Sequence, residues 1–300
     1  MKPALMSVCV PYWERQVALD RMFPNYMKLY SECRDIRLEF SVCDDGSPTQ
    51  PARVPSHCIL TRLPKKDHPL NPCVPINHAV ASSSGEIIVL TNAEVEHREP
   101  VLDEMRSLLG PPGEQRYIIA SCKEVESGGW LAGPEVDYRK QGRSPVPPGG
   151  HFHFLAMFWR QLWNRAGGFD EDYRNGQACD DNDWLWRLWR VGARFVTTQG
   201  VVWHHRGTRL KWKLPHNKEL LRQKWPQIER LARIRDDANY HKDRRDRLLR
   251  ERERASGRGT GSFRACHEIC ELPAGDMCIM CSIGPWGVRA FSGRRETTRP

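Results

Sequence analysis

Three times in its first 94 residues the chain runs through a short apolar or alternating stretch and then stops at a cluster of turn-forming and polar residues. Ala4 to Val10 stops at Pro11-Tyr12-Trp13, Ile36 to Cys43 (IRLEFSVC) stops at Asp44-Asp45-Gly46-Ser47, and Glu86 to Leu90 leads into Asn92-Ala93-Glu94. Between these runs lie segments with helical spacing. One is Glu14 to Tyr30, with Val17, Leu19, Met22, Phe23, Tyr26, Met27 and Leu29 in register and Pro24 as an irregularity, and another is Val74 to Ser83. A further short strand is expected from His57 to Thr61. Strand, helix, strand in this order predicts an α/β fold, a mostly parallel central sheet with helices on both faces. In open sheets of that kind ligands collect at the carboxyl ends of the strands. All three polar clusters fall there, so that edge is the candidate site.

Beyond Glu114 the rhythm loosens. Tyr117 to Cys122 predicts a strand, and SGGWLAGPEVDYRKQGRSPVPPGGH is a Gly/Pro-rich loop of the length that marks a lid or binding loop. His151 to Phe158 is aromatic-rich, Trp159 to Ala166 and Asp180 to Val191 predict helices, and Ala193 to Thr197 and Val201 to Trp203 predict strands ending at His204-His205. Trp184, Trp186 and Trp189 share the second of these helices with Leu185 and Leu188, a structural stripe. The expected organisation is a domain over 1–215, a charged helical extension over 216–256, and a Gly/Arg-rich, Cys-containing tail over 257–300.

With 300 residues, 39% of them hydrophobic, the chain can bury a proper core. No run approaches the roughly 20 apolar residues that span a bilayer, and the N-terminal apolar stretch is too short for a signal peptide. This predicts a cytoplasmic chain, with peripheral contact at a membrane surface as a further option. The net charge of +9 suits an anionic partner such as a nucleotide, a nucleic acid or acidic lipid, and arginine is concentrated between 230 and 264. Alternating signs there are those of a solvated helix with i, i+4 pairs. Seven of the eleven cysteines are scattered and predict small buried hydrophobes in a reducing compartment. Cys266, Cys270, Cys278 and Cys281 lie together and are candidates for a structural Zn²⁺, although their central interval is shorter than in common zinc ribbons; the alternative is a disordered extension.

The ordered set SVCVPYWER, FSVCDDGS, NHAVASSSGEIIVLTNAE and AGGFDEDYRNGQACDDNDWLWRLWRVGAR resembles the family 2 glycosyltransferases of GT-A fold, over roughly residues 4 to 210. Asn92-Ala93-Glu94 stands where that family has its metal-binding Asp-x-Asp, and Asp180-Asp181 where it has Glu-Asp. The resemblance implies a metal-dependent transfer from a nucleoside diphosphate sugar, first of all a UDP-sugar, to a glycan, lipid-linked or protein acceptor, with nucleic acid disfavoured as a partner. Pro11, Tyr12, Arg15 and Asn77 would then serve the donor nucleotide, and Asp44 or Asp45 would accept hydrogen bonds from base or ribose. An Asx turn is the alternative for Asp44-Asp45-Gly46-Ser47. Glu94, assisted by Asn92 and by His204 or His205, would hold Mn²⁺ or Mg²⁺, with Glu96 and His97 as ordinary surface rather than supporting groups. Asp181 would be the base of an inverting displacement, with Asp180, His153 and Trp159 toward the acceptor. The alternative for Asp180, Asp181 and Asp183 is plain helix capping. Two rival functions are a catalytically inactive nucleotide- or carbohydrate-binding module, suggested by Asn92, and nucleic-acid binding through the basic tail.

Overall fold

The computed structural model describes residues 4–33, 35–68, 71–128, 130–132, 154–205 and 215–226. The first apolar run forms β1 (Ala4–Tyr12) and the helically spaced segment forms α1 (Gln16–Tyr30), which carries Pro24 inside it. β2 (Ile36–Asp44), β3 (Ile59–Arg62), α2 (Cys73–Ser82) and β4 (Ile87–Thr91) follow as the sequence predicts. Next come β5 (Val95–His97), α3 (Val101–Leu109), β6 (Arg116–Glu124), β7 (Trp130–Ala132), β8 (Leu155–Trp159) and α4 (Arg160–Ala166). A 3-10 turn (Glu171–Asn175), α5 (Asp180–Arg190), β9 (Arg194–His204) and α6 (Lys218–Lys224) complete the described chain.

The strands form one sheet in the order β3-β2-β1-β4-β8-β6-β9-β5, with β7 paired to β6. β3, β2, β1 and β4 are mutually parallel, as are β6 and β9; β8 lies antiparallel between β4 and β6, and β5 is antiparallel to β9. Strand alternation sends Met6, Val8, Val10, Ile87 and Val89 to one face, where α1 and α3 cover them. Cys9, Ile88 and Leu90 point to the other face, into a core with α2, α4 and α5. This is the α/β sheet with helices on both faces that the sequence predicts. The two strands expected near 193–203 are one strand, β9. Its register slips opposite Ile119–Ser121, and Thr198 fills the irregularity: its Oγ1 donates to the Gly200 carbonyl and accepts from Ser121 N.

The first compact unit extends to Pro226, past the expected boundary at 215. α6 holds on through its last turn. Trp225 stacks on Trp186 with ring centroids 5.4 Å apart and donates its indole N–H to Asp183 at 2.7 Å, while Lys224 pairs with Asp172 at 2.6 Å and with Asp170 at 2.5 Å. Trp184 and Trp186 are buried in the structural role expected for that stripe. Among the described residues no helix is long and apolar enough to cross a membrane. All seven described cysteines are free thiols, and five of them are buried.

Candidate active site

The run Ile87–Thr91 is buried along its whole length and ends because Thr91 turns its hydroxyl to the Phe154 carbonyl, 2.9 Å away. A tight turn follows, closed by Val95 N on the Asn92 carbonyl at 3.1 Å. The chain then re-enters the sheet as β5, where Val95 pairs with His204, and His205 N donates to the Glu94 carbonyl at 3.0 Å. Two segments far apart in sequence, Asn92-Ala93-Glu94 and His204-His205, are thereby fixed side by side at one sheet edge.

Arg15 reaches the same place from the end of β1. It follows Glu14, whose φ of +51° is unusual for a residue with a side chain. That conformation is held by the loop after β2: Ser47 Oγ accepts from Glu14 N at 3.0 Å, and the Glu14 carboxylate accepts from Thr49 N at 2.7 Å and Gln50 N at 3.0 Å. Burial alone would raise the Glu14 pKa; the Thr49 hydroxyl, which also donates to this carboxylate, and then the Gln50 and Thr49 N–H groups outweigh it and hold the carboxyl below its ordinary value. The Arg15 guanidinium forms an ion pair with the Glu94 carboxylate, whose side chain is only 11% exposed. Burial lowers the pKa of Arg15, yet a guanidinium stays charged.

The two histidines have different fates. His205 Nε2 is engaged by Glu96 at 2.7 Å. His204 is pushed down to about 4, first by burial and then by the positive charge of Arg15, so it is a neutral imidazole. Its Nδ1 is buried without a hydrogen-bond partner, and its ring lies 4.7 Å from that of Phe154. A cavity of ≈ 390 Å³ opens beside this edge between α1 and β5, with Asp20, Arg21, Asn25, Glu94, Glu96 and His205 in its wall.

At the end of β2 the turn alternative accounts for Asp44. Its carboxylate is buried and accepts from Ser47 N and Ala52 N, both at 2.9 Å. Gly46 has φ +84°, and a Cβ there would lie 2.1 Å from the Pro64 carbonyl oxygen, so the Asp-Asp-Gly turn admits no side chain at its third position. Asp45 pairs with Lys66 at 2.5 Å, and its N–H donates to the Tyr12 carbonyl. Tyr12 is buried and gives its hydroxyl to the Gln50 carbonyl at 2.6 Å, which leaves Pro11 and Arg15 as the more accessible parts of that turn.

Asp180 and Asp181 open α5, but no side chain caps this helix; its N-cap is Cys179, in a left-handed conformation. Asp183 is a buried hub that accepts from Arg187 Nε at 2.6 Å and from Trp225. Asp180 accepts from Asn71 Nδ2 at 2.8 Å. Its pKa is pushed up to about 7, chiefly by burial and then by the charge of Asp181, with Asn71 opposing. Asp181 is half-buried and accepts from Asn182 N.

Other expected site residues are placed elsewhere. Asn77 is absorbed by the Gly-Gly-Phe turn: its Nδ2 donates to the Phe169 carbonyl and Glu171, and its Oδ1 accepts from Phe169 N. Trp159 pairs with Ile87, at the amino end of β4, whereas Leu155 pairs with Thr91 at the carboxyl end. Four residues at ~3.3 Å each put it about 13 Å from the candidate edge. It is buried with its indole on the Gly110 carbonyl, so the acceptor role expected of it is corrected to a core role. His97 is not surface: it is buried beneath α1, with Nδ1 on Tyr30 Oη at 2.7 Å and its backbone paired to the Asn25 amide. His153, the four tail cysteines and the whole arginine-rich segment between 230 and 264 lie outside the described residues. Glu14, Lys66 and Asn71 emerge from the structure alone; only Asn71, before Pro72, carries a turn signal in the sequence.

Among the described residues no three His, Cys, Asp or Glu side chains form a ready-made metal cage. The donor chemistry at the edge nevertheless fits a divalent ion that draws its other ligands from a substrate: the Glu94 carboxylate, the Asn92 amide oxygen and the orphaned nitrogen of His204.

No protein-family model matches the sequence, and no curated protein matches it. Solved structures do. A mannosyltransferase from Pyrobaculum calidifontis, in complex with GDP-mannose and Mn²⁺, superposes with a TM-score of 0.50 at 20% identity, over 70% of this chain and 59% of its own. TarS 1–349 of S. aureus gives 0.50 at 14% identity, over 67% and 60%. The catalytic domain of Drosophila β1,4-galactosyltransferase 7, complexed with xylobiose, gives 0.48 at 13%, over 73% and 79%. This chain thus spans about three fifths of the first two proteins. Together with the sheet order and the edge just described, the first two likenesses show that the chain has a glycosyltransferase fold of GT-A type.

Proposed function

We propose that this chain is a glycosyltransferase that moves a sugar from a nucleoside diphosphate sugar, UDP-linked in the first instance, to an acceptor hydroxyl with inversion at the anomeric carbon. The observation that carries this reading is the convergence of Arg15, Glu94 and His204, from three separate elements, on the carboxyl edge of a GT-A sheet. That edge is where such sheets bind ligands. Pro11 and Arg15 border the nucleotide, Asp45 with its Lys66 partner lies on the same strand-end loop system, and Asp44 shapes the turn that presents them. Glu94, Asn92 and His204 are the residues that would hold Mn²⁺ or Mg²⁺; His205 is the weaker candidate because Glu96 already engages it. A divalent ion held there would offset the charge that develops on the departing diphosphate.

Asp181 acts as general base. It takes the proton of the acceptor hydroxyl as that oxygen attacks the anomeric carbon, and the bond from sugar to phosphate breaks with its electron pair going to the diphosphate. A single displacement from the opposite side inverts the configuration. Burial pushes the Asp180 carboxyl up to about 7, so it holds a proton well above the ordinary carboxylate range and brings less than a full negative charge next to Asp181. The acceptor is a glycan, a lipid-linked sugar or a protein hydroxyl.

The test is calorimetric titration of UDP and GDP with and without Mn²⁺ into wild type and Glu94→Ala, together with donor hydrolysis by Asp181→Asn. The reading requires nucleotide binding that Glu94→Ala weakens at least tenfold, and hydrolysis lost in Asp181→Asn while binding persists. Full turnover in Asp181→Asn removes Asp181 as base. Binding without any hydrolysis by wild type leaves a nucleotide-binding module, the reading that Asn92 in place of an aspartate favours.

A further inference from the structure

Resting on that reading, we infer that Arg15 is an internal cation that competes with the divalent metal for Glu94, and that the donor's diphosphate relieves the competition. The Arg15 guanidinium forms its ion pair with the same carboxylate that would be the chief metal ligand. The metal-side donor set brings only one negative charge, because Asn92 contributes a neutral amide and His204 an imidazole. One carboxylate cannot serve both cations at full strength. A metal ion arriving alone must therefore break a partly buried ion pair and leave Arg15 without its partner, a step that costs affinity.

A nucleoside diphosphate changes both sides of that balance. Its phosphate oxygens are ligands for a hard cation, and they are also bidentate acceptors for a guanidinium. Arg15 can leave Glu94 for the diphosphate, and the vacated carboxylate joins the metal. The swing is local, because Glu14 and its hydrogen bonds to the loop after β2 fix the backbone from which Arg15 projects. Metal and donor then load together, although the apo edge holds metal weakly. The coupling is reciprocal by thermodynamic necessity.

The experiment measures Mn²⁺ affinity of the purified full chain by electron paramagnetic resonance of free Mn²⁺, without nucleotide and with saturating UDP or GDP. Wild type, Arg15→Gln, Arg15→Lys, Glu94→Gln and the Arg15→Gln/Glu94→Gln pair are compared. Without nucleotide, Arg15→Gln is expected to bind Mn²⁺ about tenfold or more tightly than wild type, equivalent to about 1.4 kcal/mol. Arg15→Lys, which keeps the charge, should stay near wild type, and adding Glu94→Gln to Arg15→Gln should abolish the gain. The factor by which nucleotide tightens Mn²⁺ binding should shrink in Arg15→Gln. Equal or weaker Mn²⁺ binding by Arg15→Gln overturns the inference, as does the absence of Mn²⁺ binding by every variant. If UDP or GDP still binds in those cases, the donor-site reading stands without the competition. If neither nucleotide binds wild type at any Mn²⁺ concentration, the donor-site reading itself falls.

Discussion

Asp180 holds a carboxyl group where water barely reaches it, with one amide donor from Asn71 and a second aspartate beside it. Its folded pKa of about 7 lies above the ordinary 3.8, so the native state keeps a proton that the unfolded chain has already lost. Over that interval the native state binds more protons, and stability falls as pH rises from about 4 to about 7. Below pH 4 the group is neutral in both states and contributes no slope. Asp180→Asn removes the titration without changing the shape of the side chain. Urea unfolding at pH 4, 5.5, 7 and 8 should show the variant close to wild type at pH 4 and progressively more stable above it. The gain at pH 8 is bounded by about 4 kcal/mol, from 1.36 kcal/mol per pKa unit. Parallel stability curves for the two proteins would mean that Asp180 is ionised throughout. The proposed arrangement of a proton-holding Asp180 beside the Asp181 base would then fail.

At the scale of elements, β1, β2, β4, α1 and α2 were legible because each is specified by its own residues. Apolar side chains at strand or helix spacing run up to polar, turn-forming residues at or just past the strand ends, and those residues make up the candidate site. β5 was not legible, since three residues, one of them charged and one a histidine, become a strand only when β9 supplies the partner backbone. The same cause misplaced His97, whose burial is decided by Tyr30 and Asn25 of α1 rather than by its neighbours in sequence. Trp159 was misread because an aromatic run does not say which end of its strand meets the site; β8 enters the sheet antiparallel, with Leu155 rather than Trp159 at the ligand edge. The role of α6 was hidden in the same way, in a charged stretch whose anchor is one tryptophan. Trp225→Ala removes the stack on Trp186 and leaves the buried Asp183 without one of its donors. By the usual cost of deleting a buried tryptophan it should destabilise the first unit by about 3–5 kcal/mol. Chemical unfolding reads this directly, and a loss below about 1 kcal/mol would show that α6 is not part of the cooperative unit.

For the molecule as a whole, the division at Pro226 assigns the candidate site and the arginine-rich segment between 230 and 264 to different units. Arg15, Asp44, Asp45, Lys66, Glu94, Asp180, Asp181 and His204 all belong to the first unit, and so do both core clusters that hold their strands and helices in place. If the chain acts on a nucleoside diphosphate sugar, the charge that matters is local, a guanidinium and a carboxylate at one sheet edge, and the net +9 is incidental to it. If it acts on nucleic acid, binding is carried by the summed basic charge and must fall steeply with salt. Residues 1–226 expressed alone distinguish the two. The fragment should unfold cooperatively and bind UDP or GDP within roughly threefold of the full chain, a difference of about 0.7 kcal/mol. Salt between 50 and 200 mM should change that affinity far less than the ~10³–10⁵-fold typical of a protein neutralising 6–10 phosphates. A fragment that folds but loses nucleotide binding would assign part of the donor site to residues 227–300. Salt-sensitive RNA binding present only in the full chain would give the basic segment a function of its own, independent of the sheet edge.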